Sequence, residues 1–336
     1  MSSLGDPLLV LAFGAAAAAS LGASWVLVAR LERIGARLRL SEALLGMLAA
    51  LAADAPEVTA AVTALAGHQA RIGTGVVIGS NVFNLAALLG LSALVAGRIA
   101  LHRRVVVLEG AVALWIATVC VLAVTGLLSP AAGLAIVLAV LVPYLVALGA
   151  RPDRLARAGL PDRWARWLAQ AILEEERELE PAIHPRPGGA RDGLIAALAL
   201  GAVIAASIAM EQAAAAFGSR HRISQLVVGG LIVAIVTSLP NAVAAIYLAR
   251  RGRGTATLST AMNSNALNVA AGLLVPGTIA GLGAPTGGAT FVALSYLAVT
   301  ALALGCAWLW SGLGRREAVL IVGAYAAFVA ALLGGV

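Results

Sequence analysis

Chemistry in this chain is concentrated in four short stretches. They are Asp54-Ala55-Pro56-Glu57, Ser80-Asn81-Val82-Phe83-Asn84, Thr237-Ser238-Leu239-Pro240-Asn241 and Ser264-Asn265-Ala266-Leu267-Asn268. Their side chains offer carboxylate, hydroxyl and amide oxygens, with no histidine or cysteine beside them. Such a set suits hard cations such as Na⁺ and Ca²⁺ and argues against Zn²⁺ or copper. Proline adds further oxygens. Pro56 has no N–H, so the Ala52 carbonyl is expected to lose its helical partner, and Pro240 does the same to the Val236 carbonyl. Calcium takes about 6–8 oxygens, and two carboxylates, an amide and freed carbonyls can supply them. Ser80 with Asn84, and Ser264 with Asn268, stand one helical turn apart and share a face.

The elements that must hold these groups are membrane spans. The 336 residues are 61% hydrophobic and 12% charged, with a mean hydropathy of +0.96; soluble domains are about 25% charged. Apolar runs long enough to cross a hydrocarbon layer of roughly 30 Å recur from end to end. Ten spans are expected, at 7–29, 41–66, 73–97, 105–126, 130–149, 193–213, 223–249, 256–280, 287–310 and 317–335. Asp54 and Glu57 fall midway along the second, where an ionisable group costs about 2.5–3.5 kcal/mol on the insertion scale. No arginine lies within a span core to pair with them, so a cation ligand or a bound proton remains. As i, i+3 neighbours the two acids are expected to share a proton when no cation is held, so that binding weakens as pH falls. A lone mid-span proline reads as a kink; two at equivalent positions, each beside polar groups, point to a site. Glu42, Glu109 and Glu211 lie near span ends and read as interfacial anchors.

All 23 basic residues are arginine, against 16 acids, for a net charge of +7. The lack of lysine rules out a Walker-A loop, so ATP-driven pumping by this chain is not expected. With the N-terminus outside, only Arg71, Arg220 and Arg222 fall in outside loops and every other arginine falls inside. This positive-inside signal puts both termini outside and accounts for the basic charge without nucleic acid. Met1 to Asp6 carries an acid and no arginine, so no signal peptide is expected. Cys120 and Cys306 lie in apolar runs and imply neither a disulfide nor a metal site. Within the long polar stretch, Pro161 to Glu180 brings Trp164, Trp167, Leu168, Ala171 and Ile172 to one helical face. It reads either as a plain linker between halves or as an interfacial amphipathic helix. Neither H-E-x-x-H nor G-x-S-x-G occurs, and His68, His102, His184 and His221 lie in or beside loops. No enzymatic activity and no cofactor are expected.

The two halves repeat. Residues 50–97 align with 234–281 at an offset of 184, pairing Pro56 with Pro240, Ser80 with Ser264, Asn81 with Asn265, Asn84 with Asn268 and Gly97 with Gly281. Upstream, at an offset of 183, Leu40-Ser41 parallels Ile223-Ser224 and Gly46 parallels Gly229. The second copy starts after an odd number of spans. Residues 1–150 and 193–336 are therefore read as inverted five-helix membrane repeats, joined by a cytoplasmic linker at 151–192. Many secondary transporters use inverted repeats with interrupted spans for alternating access around a midplane site. Gly75/Gly79 and Gly277/Gly281 have GxxxG spacing, open to packing within one bundle or to dimerisation, so oligomeric state stays open.

These motifs resemble the sodium/calcium exchanger branch of the cation/calcium exchanger superfamily. That family carries two alpha-repeats, each with a G-[ST]-S-x-P-E-like segment followed by G-S-N-x-x-N. Here the first copy reads Ala53-Asp54-Ala55-Pro56-Glu57 and Gly79-Ser80-Asn81-Val82-Phe83-Asn84. The second reads Thr237-Ser238-Leu239-Pro240-Asn241 and Asn263-Ser264-Asn265-Ala266-Leu267-Asn268. The likeness extends over nearly the whole chain in layout. It implies an all-α polytopic fold of ten transmembrane helices and Na⁺/Ca²⁺ exchange by alternating access. It also implies that the acid after each proline binds calcium with the hydroxyls and carbonyls just upstream, and that the downstream serines and asparagines help bind sodium. Carried over, the ligand positions are Ala53, Asp54, Glu57, Ser80, Asn84, Thr237, Ser238, Asn241, Ser264 and Asn268. The departures are specific. Asn241 replaces the second-repeat acid, Asp54 the first-repeat serine and Ala53 the hydroxyl before it, and Asn268 stands where the family often has an acid. Both acids therefore come from one repeat; their charge still balances one Ca²⁺, asymmetrically. Three readings follow: Na⁺/Ca²⁺ antiport, antiport with H⁺ as counter-ion, and ion binding without coupled transport. Inorganic cations and the bilayer are the expected partners, and the alanine- and arginine-rich composition fits a bacterial inner membrane.

Overall fold

The computed structural model describes residues 5–38, 50–149, 161–179 and 187–335. Helices dominate, because a helix satisfies its own backbone polar groups where no water can. In chain order they are α1 (Asp6–Arg37), a short helical piece at residues 50–53, α2 (Ala55–Ala66), α3 (Ala70–Ala96), α4 (Arg103–Val124), α5 (Pro130–Gly149) and α6 (Asp162–Leu179). The second half holds α7 (Ala190–Arg220), α8 (Gln225–Thr237), α9 (Leu239–Arg250), α10 (residues 254–280), α11 (Gly287–Leu309) and α12 (Arg315–Leu333). Among the described residues, seven helices are long and apolar enough to cross a membrane. The pair α8 and α9, bent by 48°, makes up to eight. The chain is thus an all-α polytopic membrane protein. The expected second and eighth spans fall on residues 50–66 and on α10, which are not among those eight. Glu42, Leu40, Ser41 and Gly46 lie outside the described residues.

The repeat is visible element by element. α2 and α9 are each 12 residues long, and the breaks before them have the same backbone conformation, φ −80°, ψ −8° at Asp54 and φ −82°, ψ −4° at Ser238. π-type turns interrupt α3 at Leu85–Leu91 and α10 at Asn268–Leu274. Gly97 and Gly281 both turn the chain at positive φ, 82° and 78°, where a side chain would be strained. The halves are inverted. Repeat-equivalent α1 and α7 pack antiparallel: Arg30 and Arg33 pair with Asp192 at 2.8 and 3.1 Å at one end, and Arg220 pairs with Asp6 at 2.5 Å at the other.

Loops are tied together on one face. β1 (Arg98–Ala100) pairs antiparallel with β2 (Gly312–Gly314), with Arg98 opposite Gly314. Arg104 reaches Glu174 of α6 at 2.9 Å on the same face. The arginine pattern groups these same loops on one side. α6 is a helix that docks on α4 and α10 through buried Ala165, Ala171 and Ile172. Trp167 and Leu168 are half-buried and Trp164 is exposed. Gly75 and Gly79 pack inside the bundle: a Cβ on Gly79 would overlap the Gly230 backbone, and one on Gly75 would lie 3.0 Å from the Gly230 nitrogen. Gly281 forms a turn, so the Gly277/Gly281 spacing marks no helix crossing.

Candidate functional site

Proline sets the two breaks. It is tolerated in the first turn of a helix and excluded from its interior, so the chain stops just before Pro56 and Pro240 and starts a new helix through each. Asp54 and Glu57 then flank one break, and Ser238 and Asn241 the other. Helices α3 and α10 cross between them, carrying the S-N-x-x-N side chains.

Both acids are held by donors from the opposite repeat. Glu57 Oε1 accepts from Ser238 Oγ, and Glu57 Oε2 accepts from Asn268 Nδ2 at 2.5 Å. Asp54 Oδ1 accepts from Asn241 Nδ2 at 2.5 Å and from Ser264 Oγ at 2.7 Å. Around them, Asn84 Nδ2 donates to Ser264 Oγ at 3.1 Å and to Asn265 Oδ1 at 3.0 Å, while Asn268 Nδ2 also reaches Asn81 Oδ1 at 3.2 Å. Asn81 Nδ2 donates to the Asn265 carbonyl, and Asn265 Nδ2 returns the bond to the Asn81 carbonyl, each at 3.1 Å. Reciprocal bonds between equivalent residues mark a two-fold relation, so the pseudo-axis passes between Asn81 and Asn265.

The site is occluded. Asp54, Glu57, Ser80, Asn84, Thr237, Ser238, Ser264 and Asn268 are 0% exposed and Asn241 1%. Four of its oxygens, Asp54 Oδ2, Ser80 Oγ, Asn84 Oδ1 and Asn268 Oδ1, have no hydrogen-bond partner among the described residues. Leaving a buried polar atom unsatisfied costs about 1–3 kcal/mol, and oxygens of this kind are ligands for a hard cation. No group of three or more His, Cys, Asp or Glu side chains that could hold a metal occurs among the described residues. Any dication here must draw its charge from two carboxylates and its remaining ligands from neutral oxygens.

The sequence-derived set is thus largely brought together, with exceptions. Thr237 Oγ1 donates back to the Val233 and Ala234 carbonyls at 3.0 and 3.1 Å rather than to either acid. Ala53 has no side-chain oxygen and ends the helical piece before the break. The Ala52 carbonyl, expected to be free, accepts from Ser24 Oγ of α1 at 3.0 Å, because α1 packs across the break and brings a hydroxyl to it. Asn81 and Asn265 are additional members of the network. Their match across the repeat is the sequence signal for them, although neither belongs to an i, i+4 pair of ligand-type residues. Glu109 and Glu211, expected as interfacial anchors, are instead buried in the bundle. Glu109 is 1% exposed and accepts from Tyr144 OH at 2.5 Å and Ser259 Oγ at 3.4 Å. Glu211 is 2% exposed. Position near a span end fixes depth, while the helix face decides burial, and both acids face the bundle.

Fold and site together define an inverted-repeat membrane protein with an enclosed, oxygen-lined site on its pseudo-two-fold axis. The family model described as sodium/calcium exchanger protein matches residues 8–151 and 193–334. The chain belongs to that family, which is a family of transporters. Among solved structures, it is similar to an H⁺/Ca²⁺ exchanger named CAX, at 15% identity and a TM-score of 0.67, covering 97% of this chain and 85% of that one. It is also similar to the sodium-calcium exchanger NCX_Mj, soaked with Na⁺ and Sr²⁺, at 20% identity and a TM-score of 0.61, covering 97% and 99%. A third match, NCX_Mj soaked with Na⁺ and Ca²⁺, has 20% identity, a TM-score of 0.62 and coverage of 97% and 98%. At these identities the likeness speaks for the fold alone. No curated protein matches the sequence significantly.

Proposed function

We propose that this protein is a secondary active antiporter that exchanges Ca²⁺ for Na⁺ by alternating access. The observation that carries the reading is the buried carboxylate pair on the pseudo-two-fold axis, held by donors from the other repeat beside oxygens that lack partners. Asp54 and Glu57 together neutralise one Ca²⁺. Asp54 stands in for the acid absent at position 241, since the Asn241 amide lies 2.5 Å from the Asp54 carboxylate. Ser80, Asn84, Ser264 and Asn268 complete the shell with neutral oxygens and serve Na⁺ when it replaces Ca²⁺. Ser238 and Asn241 orient the carboxylates, and Thr237 and Ala53 contribute through their backbone. When the cation leaves, Ser238, Asn268, Asn241 and Ser264 continue to satisfy the carboxylates, which keeps the unloaded site assembled.

Residues 1–150 and 193–336 act as the two moving repeats around this site, with the 151–192 linker and α6 on the cytoplasmic leaflet of a bacterial inner membrane and both termini outside. A second reading, H⁺ as the counter-ion, is favoured by the presence of two carboxylates in one buried network. Radiolabelled Ca²⁺ uptake into proteoliposomes separates the two. Uptake driven by an outward Na⁺ gradient and lost in Glu57→Gln supports Na⁺ exchange. Uptake driven only by a pH gradient moves the assignment to H⁺. Absence of both would leave an ion-binding protein without coupled transport and overturn the antiport reading.

A further inference from the structure

Glu211 is a buried acid that the central site does not use. It stands on α7 nine residues before Arg220, about 14 Å inside that end of the helix at 1.5 Å per residue. It is 2% exposed, makes no ion pair among the described residues, and its Oε1 has no hydrogen-bond partner among them. Glu109, the other buried acid away from the centre, accepts from the Tyr144 and Ser259 hydroxyls. Glu211 has hydroxyls on one side and a cavity on the other. One turn deeper on the same helix face, Ser207 Oγ is paired with Ser20 Oγ of α1 at 2.8 Å, both residues being buried. One turn further out on that face, Ala215 lines a cavity of about 600 Å³, whose polar wall is Gln69, Gln212, Ser219 and Gln225. The Arg220–Asp6 pair lies on the same side of the molecule. At the offset of 183 that relates Ser41 to Ser224, the repeat partner of Glu211 is Val28. The acid therefore exists in one half only and serves one face of the membrane.

We propose that Glu211, with the hydroxyls of Ser207 and Ser20, binds one Na⁺ beneath this cavity. The inference rests on the Na⁺/Ca²⁺ reading and adds a site for its monovalent ion. An ionised carboxylate within the membrane needs a partner of opposite charge, and none of the arginines pairs with Glu211 among the described residues. One carboxylate matches one unit of positive charge, whereas Asp54 and Glu57 together match two. Carboxylate and hydroxyl oxygens are ligands for hard cations. Each serine hydroxyl keeps a lone pair beyond the Ser20–Ser207 bond and rotates about its C–O bond, so both can turn an oxygen to the ion while the helices stay in place. A proton would neutralise Glu211 equally. The two hydroxyls one turn below supply the further oxygens that a metal ion needs and a proton does not. The amides and hydroxyl of the cavity wall let the ion arrive hydrated and exchange its water for protein oxygens in steps.

The test uses the full chain purified in detergent. Equilibrium dialysis with radiolabelled Na⁺, without calcium, counts the ions bound per chain in the wild type and in Glu211→Gln. Loss of one Na⁺ in the variant is the expected result. Calcium titration in Na⁺-free buffer should be unchanged, which also shows that the variant folds. An unchanged Na⁺ count would overturn the site. A second measurement needs no variant. Dicyclohexylcarbodiimide couples to carboxylic acids in apolar surroundings, and mass spectrometry reads the peptide that carries Glu211. Na⁺ should protect Glu211 from coupling, and choline at the same concentration should not. Ser207→Ala should raise the half-protecting Na⁺ concentration about tenfold, the scale of one polar contact to a charged group. Coupling that follows pH but is indifferent to Na⁺ would make Glu211 a proton carrier and contradict the proposal. Neither measurement needs flux. A wild type that binds no calcium, yet loses one Na⁺ in Glu211→Gln, would sink the exchange reading and leave the Na⁺ site standing.

Discussion

At the residue scale, Asp54 and Asn241 exchange the roles that the family pattern assigns to a serine and an acid. The exchange is conservative in space: Asn241 and Ser264 hold Asp54 much as Ser238 and Asn268 hold Glu57. Two predictions follow from that balance. Asp54→Asn and Glu57→Gln should each lower Ca²⁺ affinity by about two to four orders of magnitude, the scale of removing one partner from a buried charge pair, about 3–5 kcal/mol. The double variant Asp54→Ser/Asn241→Glu should retain calcium binding that Asp54→Ser alone loses, as read by equilibrium titration. Protons compete with cations for two adjacent carboxylates, so binding should weaken as pH falls; a flat titration from acid to neutral pH would contradict a carboxylate site. Most of this site was legible because polar motif residues stand out in an apolar chain and occur twice. The capture of the Ala52 carbonyl by Ser24 was not, since it depends on how α1 packs. Nor was the burial of Glu109 and Glu211, which turns on helix face.

At the element scale, prolines and glycines position the site. The breaks at Asp54 and Ser238 were legible from Pro56 and Pro240 because the missing N–H acts locally. GxxxG spacing left two uses open for Gly75 and Gly79, and only the packed structure assigns them to the crossing with Gly229 and Gly230. Gly79→Ala should therefore destabilise the protein by about 1–3 kcal/mol, the cost of overpacking, because its Cβ meets backbone that has no rotamer to yield. Gly14→Ala, with nothing within 4 Å, is the control and should be neutral or mildly stabilising. Thermal unfolding in detergent compares the two. The Arg104–Glu174 pair that fastens α6 is partly exposed, so Glu174→Gln should cost no more than about 1 kcal/mol.

At the scale of the whole molecule, inversion explains why one asymmetric sequence can build a nearly symmetric site. Ion pairs at both ends of α1 and α7 hold equivalent helices antiparallel, and the reciprocal Asn81–Asn265 bonds lie on the axis between the halves. The inverted repeat was readable from the offset of 184 and the odd number of intervening spans. The count of ten is not matched among the described residues, where seven or eight helices are long and apolar enough; the expected second and eighth spans, on residues 50–66 and α10, fall outside that set. The proposed topology, with both termini outside, predicts that impermeant labelling of intact cells reaches cysteines introduced at both ends; reaction at only one end would contradict that topology. The most direct test of the central claim is calcium titration of the purified wild-type protein beside Asp54→Asn and Glu57→Gln. One Ca²⁺ bound per chain in the wild type and lost in each variant is the expected result. Unchanged calcium binding in Asp54→Asn would show that Asp54 does not replace the missing second acid, and would contradict the site described here.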